Sequence, residues 1–317
     1  MIHRRQLIRC AGAALAAVLA SGSSRAAPIR RMVLIHGRGQ QGRNADQLKA
    51  EWMETLKRGA TAIGRSVPSD LTVTLPFYGD VLDGFTREFQ IPLASDITSR
   101  GSPQQDDFLE FQADFADAVR IRAGITDAHV DAEYGDNPRP RGPQNWEWVQ
   151  AILRAIDRNS PGMGQRTLEV FTRDVFLYVT RTTVRDAIDS MIAAALTTEP
   201  TLVVSHSLGT VVAYNVLRSD RRALQVPLLV TLGSPLAVRA VRDRLRPLNY
   251  PGGVAGWYNA FDTRDVVSLY PLDVSNFPVQ GVIENNSTVR NSTENRHGIV
   301  GYLDNADVAR MVLGAAG

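Results

Sequence analysis

The chain has 317 residues, 44% apolar and 21% charged, enough apolar mass to bury a large core in one big domain or two smaller ones. Its 35 basic and 33 acidic residues nearly cancel; setting aside the first 26 residues removes four arginines and no acid, leaving 31 against 33, so a basic nucleic-acid surface is not indicated. The lone cysteine, Cys10, lies in that segment, so the remainder has no disulfide, thiolate nucleophile or cysteine metal site.

Residues 1–26 read as an export signal. Arg4 and Arg5 precede an Ala/Leu/Val run from Ala11 to Ala20, and Ser24-Arg25-Ala26 offers small residues at both positions a signal peptidase reads, so the mature chain is expected to begin at Ala27. Arg4-Arg5-Gln6-Leu7-Ile8 suits a twin-arginine or an ordinary secretory route, and either implies a periplasmic or secreted protein. Cys10 precedes the apolar run with Arg9 beside it and is read as incidental to the signal. No run reaches the ~20 apolar residues that cross a bilayer, so no integral membrane span is expected.

Arg31 to His36 is a short apolar run ending at Gly37, a buried strand feeding a turn. Leu48, Trp52, Leu56 and Ala60 follow at helical spacing, and Leu71 to Phe77 reads as a second strand; strand, helix, strand opens a parallel α/β sheet. From about 80 to 161 the regularity fades around Arg100 to Pro103 and Tyr134 to Pro143, and two helical patches survive. One carries Phe108, Phe111, Phe115 and Val119, the other Trp148, Ile152, Ala155 and Ile156. This stretch reads as an insertion packed on the sheet. The phenylalanine stripe is assigned to the core, the alternative being a lid face over an acyl pocket. Thr167 to Leu196 is helical with a break at Thr182-Thr183. Strands are expected at Thr201 to Val204, Pro227 to Leu232, Trp257 to Phe261 and Val279 to Ile283, with helices over Leu208 to Leu217 and Asp304 to Val312. Without repeats or long linkers, residues 27–317 form one catalytic domain with an insertion.

The segment that carries chemistry is Thr201-Leu-Val-Val-Ser205-His206-Ser207-Leu208-Gly209, a strand that turns abruptly into a helix with a serine at the turn. Such an elbow exposes the hydroxyl and needs small flanking residues because the strand and helix backbones approach closely. Ser205 stands where G-x-S-x-G has its first glycine.

From residue 30 to 317 the chain resembles the α/β-hydrolase superfamily, most closely its bacterial lipase- and esterase-like members. The resemblance rests on Leu34-Ile-His36-Gly37, the elbow, Leu232-Gly-Ser-Pro235 and an Asp/His pair near the end. It implies a mostly parallel central sheet flanked by helices, a helical insertion before the nucleophile strand, and a Ser-His-Asp triad with Ser207 as nucleophile. The family order of nucleophile, acid, histidine leaves His297 as the base, since His36 and His129 precede the serine and His206 is its neighbour, pointing away from the hydroxyl. The acid is sought among Asp220, Asp243, Asp262, Asp265, Asp273 and Glu284. Asp265 best fits the family's spacing after a strand, and Asp262 is the alternative, unless it caps its own turn. Oxyanion donors by resemblance are the main-chain N–H groups of Leu208 and Arg38, with His36 as a hydrogen-bonded anchor of its loop.

Two rivals follow from the same residues. Gly37-Arg-Gly39-Gln-Gln-Gly42 matches G-x-G-x-x-G after a strand, the fingerprint of a dinucleotide-binding oxidoreductase, but no acid closes the second strand to hold a ribose. A non-catalytic α/β-hydrolase-like binding protein is the other, usually marked by a broken triad. The hydrolase reading implies no cofactor or metal and a small-molecule or lipid acyl substrate; which acyl bond is cleaved, and the oligomeric state, stay open.

Overall fold

The computed structural model describes residues 29–97, 103–135, 145–159 and 164–316; the segment read as an export signal lies outside them. The elements follow in chain order. β1 (Arg31–Ile35) leads into α1 (Ala45–Ala62), whose Leu48, Trp52, Leu56 and Ala60 make one buried stripe. Asn44 caps α1, its side chain accepting the Gln47 N–H at 3.0 Å. β2 is only Thr72–Thr74, shorter than the expected Leu71 to Phe77: it is a half-exposed edge strand, and Pro76 has no N–H to extend its ladder.

The 80–161 stretch is more helical than its sequence suggests. It carries α2 (Gly79–Phe89), α3 (Pro103–Arg122), α4 (Asp127–Tyr134) and α5 (Trp146–Asn159). Phe108, Phe111 and Phe115 of α3 are wholly buried, so the stripe is core. α6 (Gln165–Thr180) and α7 (Thr182–Ala195) are separate, with the break at Arg181, where the backbone turns extended just before Thr182-Thr183.

β3 (Thr201–His206) is buried along its whole length, and α8 (Leu208–Ser219) is buried through Leu217, as expected of a helix apolar on nearly every side. β4 (Leu229–Leu232), α9 (Arg239–Arg242) and β5 (Trp257–Ala260) follow. The next strand, β6 (Ile283–Asn286), begins where the expected Val279 to Ile283 ends. Just before it, Gly281 lies so close under the Tyr250 ring that a Cβ would overlap it. α10 (Val300–Leu303) and α11 (Ala306–Ala316) close the chain, α11 opening two residues later than expected because Asn305 accepts the Asp307 N–H at 2.9 Å.

The six strands run β2-β1-β3-β4-β5-β6, and every neighbouring pair is parallel. Both faces are covered. Met32, Leu34, Leu202, Val204, Val230 and Leu232 pack with residues of α1 and α11, while Val33, Ile35, Val203 and Leu229 are buried with side chains of α2 to α8. The period-2 alternation of a strand divides the apolar run between these two layers. From β1 the chain crosses to β2, then returns past β1 to β3, so the winding reverses between β1 and β3. At such a switch point the loops leaving the carboxyl ends of the two strands part, and a crevice opens between them.

Candidate active site

Ser207 stands at that switch point, between β3 and α8, with φ 56° and ψ −130°. A residue with a side chain holds such a backbone only when its surroundings impose it. The Ser207 N–H donates to the Leu232 carbonyl at 3.0 Å. At Gly209 a Cβ would run into the carbonyl oxygens of Ile35 and His36, so only glycine lets α8 approach β1 this closely. Ser205 fills the other small position without leaving a polar atom stranded, because its hydroxyl donates to the Val230 carbonyl at 3.0 Å.

Three residues separated by up to 90 positions meet here. His297 Nε2 lies 2.8 Å from Ser207 Oγ, and His297 Nδ1 lies 2.7 Å from Asp265 Oδ2. Asp265 is further held by the Tyr302 hydroxyl, which donates to Oδ2 at 2.6 Å, and by the Val267 N–H, which donates to Oδ1 at 2.9 Å. Burial alone would raise the Asp265 carboxyl, and it is the largest influence; the charge of His297 and the hydrogen bonds from His297, Tyr302 and Val267 together outweigh it and keep the group below the ordinary carboxylate value. Burial and the Asp265 charge push the Tyr302 phenol well up, so it stays a donor. Ionised Asp265 thus fixes the Nδ1–H tautomer of His297 and turns the Nε2 lone pair to the serine hydroxyl. This arrangement can transfer the serine proton to the imidazole.

The triad is enclosed: Ser207 exposes 2% of its surface and His297 8%. Phe171 of α6 sets its edge on the His297 ring, centroids 6.2 Å apart, and continues into the Phe115, Phe111 and Phe176 cluster. Gly233, after β4, has φ +58° and lies against His297, Tyr302 and Asp265; a Cβ there would sit 3.1 Å from the His297 ring.

The other sequence candidates are placed elsewhere. Asp262 does cap its turn, accepting the Arg264 N–H at 2.9 Å, but it is fully buried and also accepts the Asn291 N–H at 2.8 Å, pinning the loop before His297. Asp220 and Asp243 pair with neighbouring arginines, Asp273 caps Ser275, and Glu284 is exposed on β6. His129 is exposed and closes a capping box with Thr126 at the start of α4.

The loop after β1 lies over the elbow, since a Cβ on Gly37 would sit 2.8 Å from that of Ser207. His36 anchors this loop. Its Nδ1–H donates to the Gly37 carbonyl at 2.7 Å, its Nε2 accepts the Tyr78 N–H at 3.1 Å, and the Tyr78 hydroxyl returns to the His36 carbonyl. Desolvation lowers the His36 pKa to about 4, so the ring is neutral. The Arg38 side chain is held by Asp174 of α6 at 2.6 Å. Leu208 opens α8 directly after Ser207, where helix N–H groups have no partners within the helix. The glycine-rich pattern is accounted for locally: Gly37 makes room for the elbow, Gly39 and Gly42 take positive φ, and the Gly42 N–H donates to Asp80 at 2.7 Å. Asp70 precedes β2 and pairs with Arg30, at the wrong end of that strand to hold a ribose.

One neighbour of the triad escaped the sequence reading. His206, expected only to point away from the Ser207 hydroxyl, sets its Nε2 2.7 Å from the His297 carbonyl oxygen. The adjacency of His206 to Ser207 was visible; a partner 91 residues on was not. Among the described residues no cluster of three or more His, Cys, Asp or Glu side chains could hold a metal ion, and no helix is long and apolar enough to cross a membrane. Comparison with protein families, curated proteins and solved structures finds no match to this chain.

Proposed function

We propose that this chain is a serine hydrolase with an α/β-hydrolase fold that cleaves carboxylic esters or related acyl bonds of a small-molecule or lipid substrate. The observation that carries the reading is the hydrogen-bonded chain Ser207–His297–Asp265, set at the carboxyl end of β3 with the serine in a strained elbow. In this reading Ser207 Oγ attacks the acyl carbonyl while His297 Nε2 takes its proton. The N–H groups of Leu208 and Arg38 stabilise the oxyanion. His297 returns the proton to the leaving group as the acyl–oxygen bond breaks, and water, deprotonated by the same imidazole, releases the acid. Asp265 stays ionised throughout. The export signal read in residues 1–26 places this chemistry in the periplasm or outside the cell.

The rivals have less support. A binding protein on this fold has no use for a serine, imidazole and carboxylate all within hydrogen-bond reach, and the dinucleotide reading loses its glycine loop to the elbow and to Asp80. The deciding experiment is labelling with a fluorophosphonate, followed by peptide mapping. Wild-type protein is expected to carry the label on Ser207 and to hydrolyse short p-nitrophenyl esters; Ser207→Ala is expected to do neither while melting within a few degrees of wild type. Labelling elsewhere, or hydrolysis by the alanine variant, rules the proposal out.

A further inference from the structure

The loop that delivers His297 to the serine is shaped mostly from within. Asn291 Oδ1 accepts the Thr293 N–H at 3.0 Å, Asn295 Oδ1 accepts the His297 N–H at 3.1 Å, the Thr293 hydroxyl accepts the Gly298 N–H at 2.9 Å, and Asn291 Nδ2 donates to the Gly298 carbonyl at 2.8 Å. These bonds give the loop a shape but do not fasten it to the sheet. Arg296, directly before the histidine, has φ 55°, a backbone that a bulky residue keeps only when held from outside. Asp262 holds one end of the loop at Asn291. At His297 itself, among the described residues, the main chain is tied to the rest of the protein by the His206 side chain.

His206 is suited to this task. It is the last residue of β3, so its backbone is as rigid as the central strand, and it adjoins the nucleophile. Its ring centroid lies 4.9 Å from that of His297 and 6.3 Å from that of Trp52, whose ring is nearly perpendicular to it. Its Nδ1 faces the α-carbon side of Gly37 in the loop over the elbow. A carbonyl oxygen can only accept, so Nε2 must carry the hydrogen. Desolvation lowers the His206 pKa to about 3, and the neutral imidazole then has a single N–H to spend there.

We propose that His206 is a positioning residue for the general base: its Nε2–H ties the His297 main chain to the nucleophile strand and so fixes the distance between Ser207 Oγ and His297 Nε2. The proposal rests on the serine-hydrolase reading. The strand that presents the nucleophile thereby also registers the base, so both reacting side chains refer to the same two residues of backbone. A geometric error on the ångström scale at such a pair costs about 100-fold in rate.

The test compares His206→Gln, which keeps an N–H donor near the Nε2 position, with His206→Met, which has similar length and no donor. For His206→Met, kcat on a p-nitrophenyl ester is expected to fall about 100-fold with KM nearly unchanged, and fluorophosphonate labelling of Ser207 to slow in parallel. For His206→Gln, kcat is expected to stay within about tenfold of wild type. Melting temperatures of both variants are measured alongside; a merely structural role would make activity follow stability and would not split kcat from KM. A methionine variant as fast as wild type overturns the proposal, as does a folded glutamine variant no faster than methionine. Should neither variant fold, ¹⁵N spectra of the wild-type protein, assigned through the backbone, must show a neutral His206 ring protonated at Nε2; protonation at Nδ1 overturns it. Wild-type protein that neither labels nor turns over would refute the hydrolase reading instead, leaving the ¹⁵N tautomer to judge the contact.

Discussion

Replacing Asp265 by asparagine changes one atom and should nearly abolish turnover. Asp265 Oδ2 accepts from both His297 Nδ1 and the Tyr302 hydroxyl, and Oδ1 accepts from the Val267 N–H. An amide offers one acceptor oxygen in place of two. If that oxygen keeps Val267, the NH₂ faces both His297 Nδ1 and the Tyr302 hydroxyl: the phenol turns to accept one N–H, and Nδ1 must give up its hydrogen to accept the other, so the ring becomes the Nε2–H tautomer and donates to Ser207 instead of accepting its proton. If the amide flips, the Val267 N–H is left buried without a partner, at about 1–3 kcal/mol. The first arrangement is the cheaper and destroys the base, so kcat should fall roughly 10⁴-fold, equivalent to about 5.5 kcal/mol of transition-state stabilisation. Asp262→Asn is the control. It too trades one acceptor oxygen for an NH₂, so the N–H of Arg264 or of Asn291 loses its partner; with the oxygen kept on buried Asn291 only the exposed Arg264 turn is affected, and stability should fall by no more than about 1–3 kcal/mol. Its folded fraction should nevertheless keep kcat within about tenfold of wild type, because it touches neither His297 nor Ser207. Stopped assays of kcat together with thermal melts of both variants separate the two losses. A folded Asp265→Asn enzyme with wild-type kcat would refute the triad assignment, and a folded, inactive Asp262→Asn would move the acid.

His297→Ala should silence hydrolysis as fully as loss of the serine, whereas His129→Ala should lower only the melting temperature slightly, since His129 caps an exposed helix; matched kcat values in the two variants would remove the proposed base. Stability should fall in mild acid. His36 and His206 are buried neutral with values lowered to about 4 and about 3, while in the unfolded chain they titrate near 6.5, so below that pH the unfolded state binds protons the native state refuses. Each histidine therefore contributes stability that is present above about 6.5 and is lost, at up to about 1.4 kcal/mol per pH unit, as the pH falls toward its folded value. Denaturant titrations at pH 7, 6, 5 and 4.5 that gave one unchanging stability would contradict this. Exported protein should begin at Ala27 by intact mass, and a full-length cytoplasmic product would overturn the export reading.

Much of the architecture is legible locally because its causes are local. The apolar runs of β1, β3 and β4 mark buried parallel strands, Leu48, Trp52, Leu56 and Ala60 mark one face of a helix, and the Ser205-His-Ser-Leu-Gly209 turn announces a serine forced into an elbow by the small residues around it. Elements at the sheet edges differ most from the local reading: β6 starts after Gly281, which packs under the Tyr250 ring, and β2 is a short edge strand. The same division runs through the site. Sequence alone determined that Ser207 sits between a central strand and a helix, and that, in the order of a family it resembles, His297 and one of two aspartates could serve it. Only the tertiary structure decided that Asp265 meets the imidazole while the buried Asp262 pins Asn291, that Gly233 makes room beside the triad, and that His206 reaches the His297 carbonyl. Those contacts join residues 29 to 91 positions apart, and a hydrogen bond across such a span depends on strand order and loop path, which leave no periodicity or motif in the residues themselves.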